Sequence, residues 1–500
     1  MNLIPEKTGI NPSYACTWGL QGAWPLHPEA VKFNYQGGAR MAHTLTEENI
    51  KTLLQSDVLK QDRADAFLLL DMGWDFDPEY DHDKQQYVCN SLEISRIKFP
   101  SLKGNGLQRL RQMVEMVKDA GFQGLGVWIT CHVFGEGKDG FTYSGDELYE
   151  KFRQTFLFYR DAGVSYLKCD YGAHAWDPEF RRKVSDLARE AAPELIIEQC
   201  WCMGPFNDEY CNYDKYELHH EYTYEAHRGG QTLKDAVSIL PHCNVFRTYD
   251  VSHTLEYPIT LSRVGALLKG IEGTKTHCVL NTESTPILSA GLGTAVGFLQ
   301  LDSEAENRSC IRTLRWQRFA PPIPVGGPVL VDERYMEDSC DFHEESDWVK
   351  SCIDPGYVVH QKAPARIVRN MEKLPNVRSE TILPYVVAAR HPETGAVSLA
   401  AMPRVLLNTR RFTPRAEVGL EDLDYTKPIG IFGKYHSVTL GFAKLPDNPI
   451  FWMQDLYTDT AVDITSHLFV NSNTIRIPGS ILERICKGDE PGVVLCVKEK

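Results

Sequence analysis

A lysine and an aspartate two positions apart, inside an otherwise apolar run, are the first residues of this chain that invite a chemical reading. In VSYLKCDYG (164–172) strand alternation puts Tyr166, Lys168 and Asp170 on one face, and Leu167 and Cys169 on the other. Burying a lysine is unfavourable unless it is paired. A cation beside a carboxylate favours its ionised form, which is the form a nucleophile needs. Asp170 is therefore a candidate nucleophile; the plainer alternative is a buried ion pair holding one layer of the fold. NVFRTYDVS offers a second acid, Asp250, three residues after Arg247. Two carboxylates about 5–5.5 Å apart, one attacking and one donating a proton, are what cleavage of a glycosidic bond with retention requires. Asp250 reads as the acid/base and Arg247 as its orienting partner or a hydroxyl ligand. The plainer reading of Asp250 is a helix N-cap.

Other strand ends supply binding groups. Asp71 closes the apolar run AFLLLDMGW and offers two acceptor oxygens to sugar hydroxyls. Trp74 in the same run, Trp18 after the first strand and Trp201 beside Cys200 are candidate contacts for a sugar ring; a lone tryptophan such as Trp74 is core more often than platform, and Trp18 reads as readily one way as the other. Glu198, earlier in that same fifth strand, is a further candidate to point inward. Histidines cluster in this half, among them His132, His174, His219, His220, His227, His242 and His253, with neither an HxH pair nor HExxH. They read as pocket-lining or locally bonded groups, so no metal and no cofactor is expected.

These residues need a scaffold that gathers strand ends. Over residues 1–320, short apolar runs alternate with amphipathic helical stretches, the pattern of βα units around a parallel sheet. Strands are predicted at 14–20, 66–74, 124–131, 164–172, 194–201, 244–250 and 276–283, with 288–300 the candidate for an eighth. Helices are predicted at 105–120 and 147–162, the second stopped by Gly163. No Gly-rich phosphate loop follows the first strand, so a closed (β/α)₈ TIM barrel is favoured over an open doubly wound sheet. Its active site belongs at the C-terminal ends of the strands. The Pro/Gly-rich stretch 321–328 marks a linker. Beyond about 380, short alternating runs such as AVSLAAMPRV and HSVTLGFAKL predict an antiparallel β-sandwich, giving a barrel at 1–320 and a linker plus sandwich at 321–500.

The bulk numbers agree. A chain of 500 residues exceeds what one core holds. A net charge of −14 from 67 acidic and 53 basic residues disfavours nucleic acid, leaving a carbohydrate or other neutral small molecule as the easier partner. No apolar run reaches membrane-span length, so no membrane partner is expected. MNLIPEKTGINPSYACTW lacks the basic and apolar regions of a signal peptide. The 14 cysteines include no CxxC pair and several lie in strand-like runs, which suits reduced, buried thiols. Together these favour a cytoplasmic setting. Oligomeric state is not encoded in any of these patterns.

At these residues the chain resembles glycoside hydrolase clan D, families 27 and 36, the α-galactosidase group. The resemblance covers roughly residues 10–320 and is patchy outside strand ends. DMGW (71–74) stands where family 27 has D-D-x-W; Phe99-Pro100-Ser101, a helix and GFQGLGVW (121–128) follow in the family's order. Lys168-Cys169-Asp170 matches the K-x-D nucleophile element, and Arg247 with Asp250 approximates the Arg/Asp acid/base element at shorter spacing. The resemblance implies Asp71 and Lys168 as sugar contacts, Trp18 as a pocket wall, and retaining cleavage of an axial α-linkage to a galactose-like sugar without cofactor or metal. Two positions depart. Met72 replaces the second Asp of the family element, and QCWCMGP (199–205) replaces C-E-W-P, closer to the Cys-containing turn of family 36. The first points to an altered sugar edge, as in an arabinopyranoside or a deoxysugar; a same-clan enzyme for an N-acetylgalactosaminide or a β-L-arabinopyranoside is the alternative activity. Transglycosylation, a catalytically inactive carbohydrate-binding barrel and a metal-dependent hydrolase are the rival readings.

Overall fold

The computed structural model describes residues 1–7, 9–79, 92–132, 143–175, 177–201, 229–248, 255–341, 358–407 and 409–500. Eight short strands form one parallel sheet: β1 (Tyr14–Cys16), β2 (Phe67–Leu70), β3 (Leu125–Ile129), β4 (Tyr166–Cys169), β5 (Ile196–Cys200), β6 (Val245–Arg247), β7 (Val279–Asn281) and β8 (Gly297–Phe298). Each pairs with its sequence neighbour from β1 to β7, and β1 also pairs with β8. The Asn281–Ala295 bridge joins β7 to the chain entering β8 and closes the ring. The (β/α)₈ barrel read from the alternation is thus present.

The helices follow the local signals. Gly106–Asp119 begins with a capping box, Asn105 accepting from the Gln108 amide and Gln108 returning the bond at 3.0 Å. Gly145–Ala162 ends on Gly163, whose φ of +86° suits a residue without a Cβ. Pro178–Ala191 starts on a proline with Asp177 as its cap. The stretch 288–300 is divided between two elements. Its first part lies in the helix Pro286–Leu292, and only Gly297–Phe298 is strand. That helix is wholly buried between barrel and sandwich, so its apolar run carries no helical stripe.

The last barrel helix, Glu304–Trp316, is followed by the Pro/Gly-rich stretch and then by strands. Two sheets of eight and five strands face each other, with one apolar cluster between them that includes Val386, Leu399, Val418, Leu440 and Ile475. Most pairs are antiparallel as expected from the alternation, but Arg366–Arg369 with Tyr385–Arg390, Val397–Met402 with Ile429–Phe432, and Glu417–Asp424 with Ser437–Lys444 are parallel. The outer face of the larger sheet, carrying Ile367, Val387, Ala400 and Phe432, packs on Leu288, Leu292 and Trp316 of the barrel. No helix among the described residues is long and apolar enough to cross a membrane. Nine described cysteines carry no disulfide.

Candidate active site

The barrel interior is graded along its axis. At the N-terminal end of the strands Tyr14, Phe67, Leu69, Tyr166, Val245 and Val279 form an apolar floor. Gly297 leaves the space that the Tyr14 ring fills. Two residues beyond Leu69, Tyr166 and Val245 the side chains become charged, as Asp71, Lys168 and Arg247. Register places Trp128 beside Lys168, Lys168 beside Glu198, and Cys200 beside Arg247. Side-chain alternation then brings Asp71, Lys168, Asp170, Glu198, Arg247 and Glu283 to one end of one barrel.

Lys168 Nζ lies 2.7 Å from Asp71 Oδ2 and 3.7 Å from Asp170 Oδ2. Burial and the Arg247 charge oppose its ammonium. The carboxylates of Asp71 and Asp170, with Cys16, outweigh them and hold its pKa well above the ordinary value. Asp71 is fixed as well: its amide donates to Thr17 Oγ1 at 2.9 Å, its Oδ1 accepts from the Met72 amide at 2.8 Å, and Cys16 Sγ lies 3.1 Å from Oδ2.

Asp170 follows the last residue of β4, and its side chain is 12% exposed against 3% for Lys168, so it is the more open of the two. Trp128 Nε1 and Arg247 Nη2 each donate to its Oδ2 at 3.2 Å. Behind it, Arg181 donates to the Asp170 carbonyl at 2.8 Å and the Cys169 carbonyl at 3.1 Å, and lies 2.6 Å from Gln199 Oε1. The Ala173 amide donates to His132 Nδ1 at 3.0 Å, bracing the turn that follows. Burial drives the His132 pKa down to about 3, with His174 adding to the shift, so the ring is neutral near pH 7.

Among the described residues four carboxylates face two cations in this buried space, and neutral donors hold one of the four. Glu198 accepts from Tyr14 at 3.0 Å, Tyr166 at 2.8 Å and Asn281 Nδ2 at 2.7 Å. Burial and the Glu198 charge push both tyrosines well above their ordinary pKa, which keeps them as hydroxyl donors.

The structure sorts the remaining sequence candidates by exposure. Trp18 is half-buried at the mouth, where with Met72, Phe76, Trp128 and Tyr171 it forms an apolar wall. Trp74 is a core residue and not a sugar platform: its indole is fully buried, donates to the Trp128 carbonyl at 2.9 Å and meets Tyr159 edge-on. Trp201 is buried with the Arg181 guanidinium over its ring. Cys200 is also shut from solvent, 3.4 Å from Glu198, and burial raises its thiol pKa well above the ordinary value. Neither offers a surface to a ligand here. Asp250 lies outside the described residues, as do His219, His220, His227 and His253. Among the described residues no three His, Cys, Asp or Glu side chains group as metal ligands.

No protein-family model matches the chain, and no curated protein sequence does. Among solved structures it is similar to a glycoside hydrolase family 27 β-L-arabinopyranosidase from Geobacillus stearothermophilus, at 10% identity and a TM-score of 0.45, over 98% of this chain and 96% of that one. It is also similar to α-galactosidase I from Mortierella vinacea, at 8% identity and a TM-score of 0.40, over 97% of this chain and 96% of that one. These are likenesses of overall chain course. The case for an activity rests on the site.

Trp128, Arg181 and Glu283 belong to this site and were not singled out by residue type and spacing. Glu283 was within reach, because Val279, Asn281 and Glu283 share one face of the seventh strand run. Trp128 lies on the inward face of β3 by the same alternation. Arg181 gives no such signal, since it stands in a helix whose polar residues read as a solvated face.

Proposed function

We propose that the chain is a retaining glycoside hydrolase that removes a terminal α-galactoside-like sugar. The carrying observation is Asp170: a carboxylate at the C-terminal end of a barrel strand whose Oδ2 meets Trp128, Arg247 and Lys168. Such donors fix its orientation, which suits attack on an anomeric carbon. Asp250, taken from the sequence element, protonates the leaving oxygen and then activates water to release the sugar. Asp71 and Lys168 hold ring hydroxyls, and Trp18 walls the pocket, as the resemblance to clan D implies.

The apolar wall around Met72 favours a second reading of the sugar. Where the family element has a hydroxyl-binding Asp, this pocket presents a thioether, a phenyl ring and two indoles. A pyranose without a polar group at that edge, such as a β-L-arabinopyranoside, gains there what galactose loses.

The test is a panel of p-nitrophenyl glycosides (α-D-galactoside, N-acetyl-α-D-galactosaminide, β-L-arabinopyranoside, α-D-glucoside and α-L-fucoside), run with wild type and Asp170→Asn. Release from one substrate that drops by roughly 10⁴-fold in the variant supports the assignment. Equal rates in both proteins sink it. Transfer of the sugar to an added alcohol marks a transglycosylase. Sugar binding without release from any glycoside marks a non-catalytic barrel.

A further inference from the structure

Glu283, like Glu198, is a carboxylate that the double displacement leaves without a task. Its backbone amide donates to Asn281 Oδ1 at 2.9 Å, which fixes the turn it stands on. Its Oε1 lies 3.4 Å from the Tyr14 hydroxyl and 2.7 Å from Arg247 Nη1. The other terminal nitrogen of that guanidinium, Nη2, donates to Asp170 Oδ2. Arg247 is completely buried, and Glu283 is 6% exposed. One planar fork therefore spans two carboxylates, with Glu283 on one tine and Asp170 on the other. An acid/base must reach the leaving oxygen and give up a proton, whereas Glu283 Oε1 is held against the Arg247 guanidinium and the Tyr14 hydroxyl. Its geometry suits holding, not proton transfer.

Building on the assignment of Asp170 as nucleophile, we propose that Glu283 is its positioning residue: it anchors Arg247, and Arg247 in turn fixes the plane of the Asp170 carboxylate. Without Glu283 the guanidinium swings toward Asp170 or away from it, and the carboxylate loses its attack orientation. The substrate contacts of Asp71 and Lys168 stay in place.

The test uses Glu283→Gln, which keeps an acceptor for Arg247, and Glu283→Ala, which does not. Kinetics with p-nitrophenyl α-D-galactopyranoside should show kcat falling roughly 10-fold in the Gln variant and 100-fold in the Ala variant, with KM within about 3-fold of wild type. A merely structural residue would lower the folded fraction without this split or this graded rescue. Unchanged kcat in both variants overturns the proposal. Crystal structures of both variants decide the matter independently of activity. Arg247 and the Asp170 carboxylate displaced in the Ala variant support it; both unmoved overturn it. If wild type ignores the galactoside while the structures show displacement, the substrate reading has failed and the positioning role stands.

Discussion

The barrel mouth and the junction between barrel and sandwich each bury an arginine, and the two are held in opposite ways. Arg247 lies between two carboxylates, Asp170 and Glu283. Arg369, at the junction, donates to four backbone carbonyls, those of Leu292 and Gly293 at 3.1 and 3.2 Å and of Ile323 and Pro324 at 3.0 and 2.8 Å. Carbonyl dipoles satisfy its donors without cancelling its charge, and burial alone lowers its pKa to about 10. It stays charged at neutral pH and spends every bond on backbone: Leu292 closes a barrel helix, and Pro324 lies in the Pro/Gly stretch. One arginine fixes chain segments, while the other fixes the orientation of the proposed nucleophile.

The lesson is that burial of charge does not by itself mark function; the kind of partner does. A guanidinium on carbonyls ties geometry that is needed only for folding. A guanidinium on a partly exposed carboxylate aims something at the mouth.

Breaking the junction should give the largest effect. Arg369→Met removes the donors from four buried carbonyls, each worth about 1–3 kcal/mol when left unmade. We expect a loss on the order of 4 kcal/mol in urea unfolding, with kcat per folded molecule unchanged. A variant as stable as wild type would erase the distinction drawn here, as would a folded variant with lowered kcat.

Next is the mouth. Arg247→Lys keeps the charge but not the fork, since a single ammonium cannot hold Asp170 and Glu283 in fixed directions together. We expect kcat to fall by roughly 10²-fold, about 3 kcal/mol of transition-state stabilisation, with a smaller cost to stability than at Arg369. Kinetics and melting on one preparation check both halves. A Lys variant with wild-type kcat would place Arg247 with Arg369 as a purely structural group.

How much of this was legible in the chain depends on how local the signal was. Asp71, Lys168 and Asp170 were readable because strand alternation alone decides which way they face, and the structure brings them within bonding distance. Arg181 was not, because its direction depends on how its helix packs on β4, which no short pattern encodes. Trp74 and Trp128 show the same limit from both sides. Trp128 sits inside a strand and alternation turns it inward, whereas Trp74 follows Gly73, whose φ of +109° breaks the alternation that would have aimed it. The fold was legible in its barrel through the repeat of apolar runs. The sandwich was legible as strands but not as pairings, since parallel and antiparallel partners share the same two-residue period.

The smallest effect sharpens the comparison, because it concerns a residue that supports the site without carrying charge. His132 braces the turn after Asp170 as an acceptor, and burial lowers its pKa from 6.5 to about 3. In the unfolded chain the imidazole takes up a proton near its ordinary value, so as pH falls below 6.5 the unfolded state binds a proton that the native state refuses. Native stability therefore declines through this window and stops declining only near the folded pKa of about 3. Between pH 7 and pH 5 the loss from this one group should be about 2 kcal/mol. His132→Gln keeps an acceptor for the Ala173 amide and does not titrate. Its unfolding free energy should thus fall by about 2 kcal/mol less than wild type over the same interval. Parallel urea titrations at the two pH values measure this difference directly. Equal losses in the two proteins would mean that His132 is protonated in the native state, and a cation would then stand beside the proposed nucleophile where the structure places a neutral acceptor.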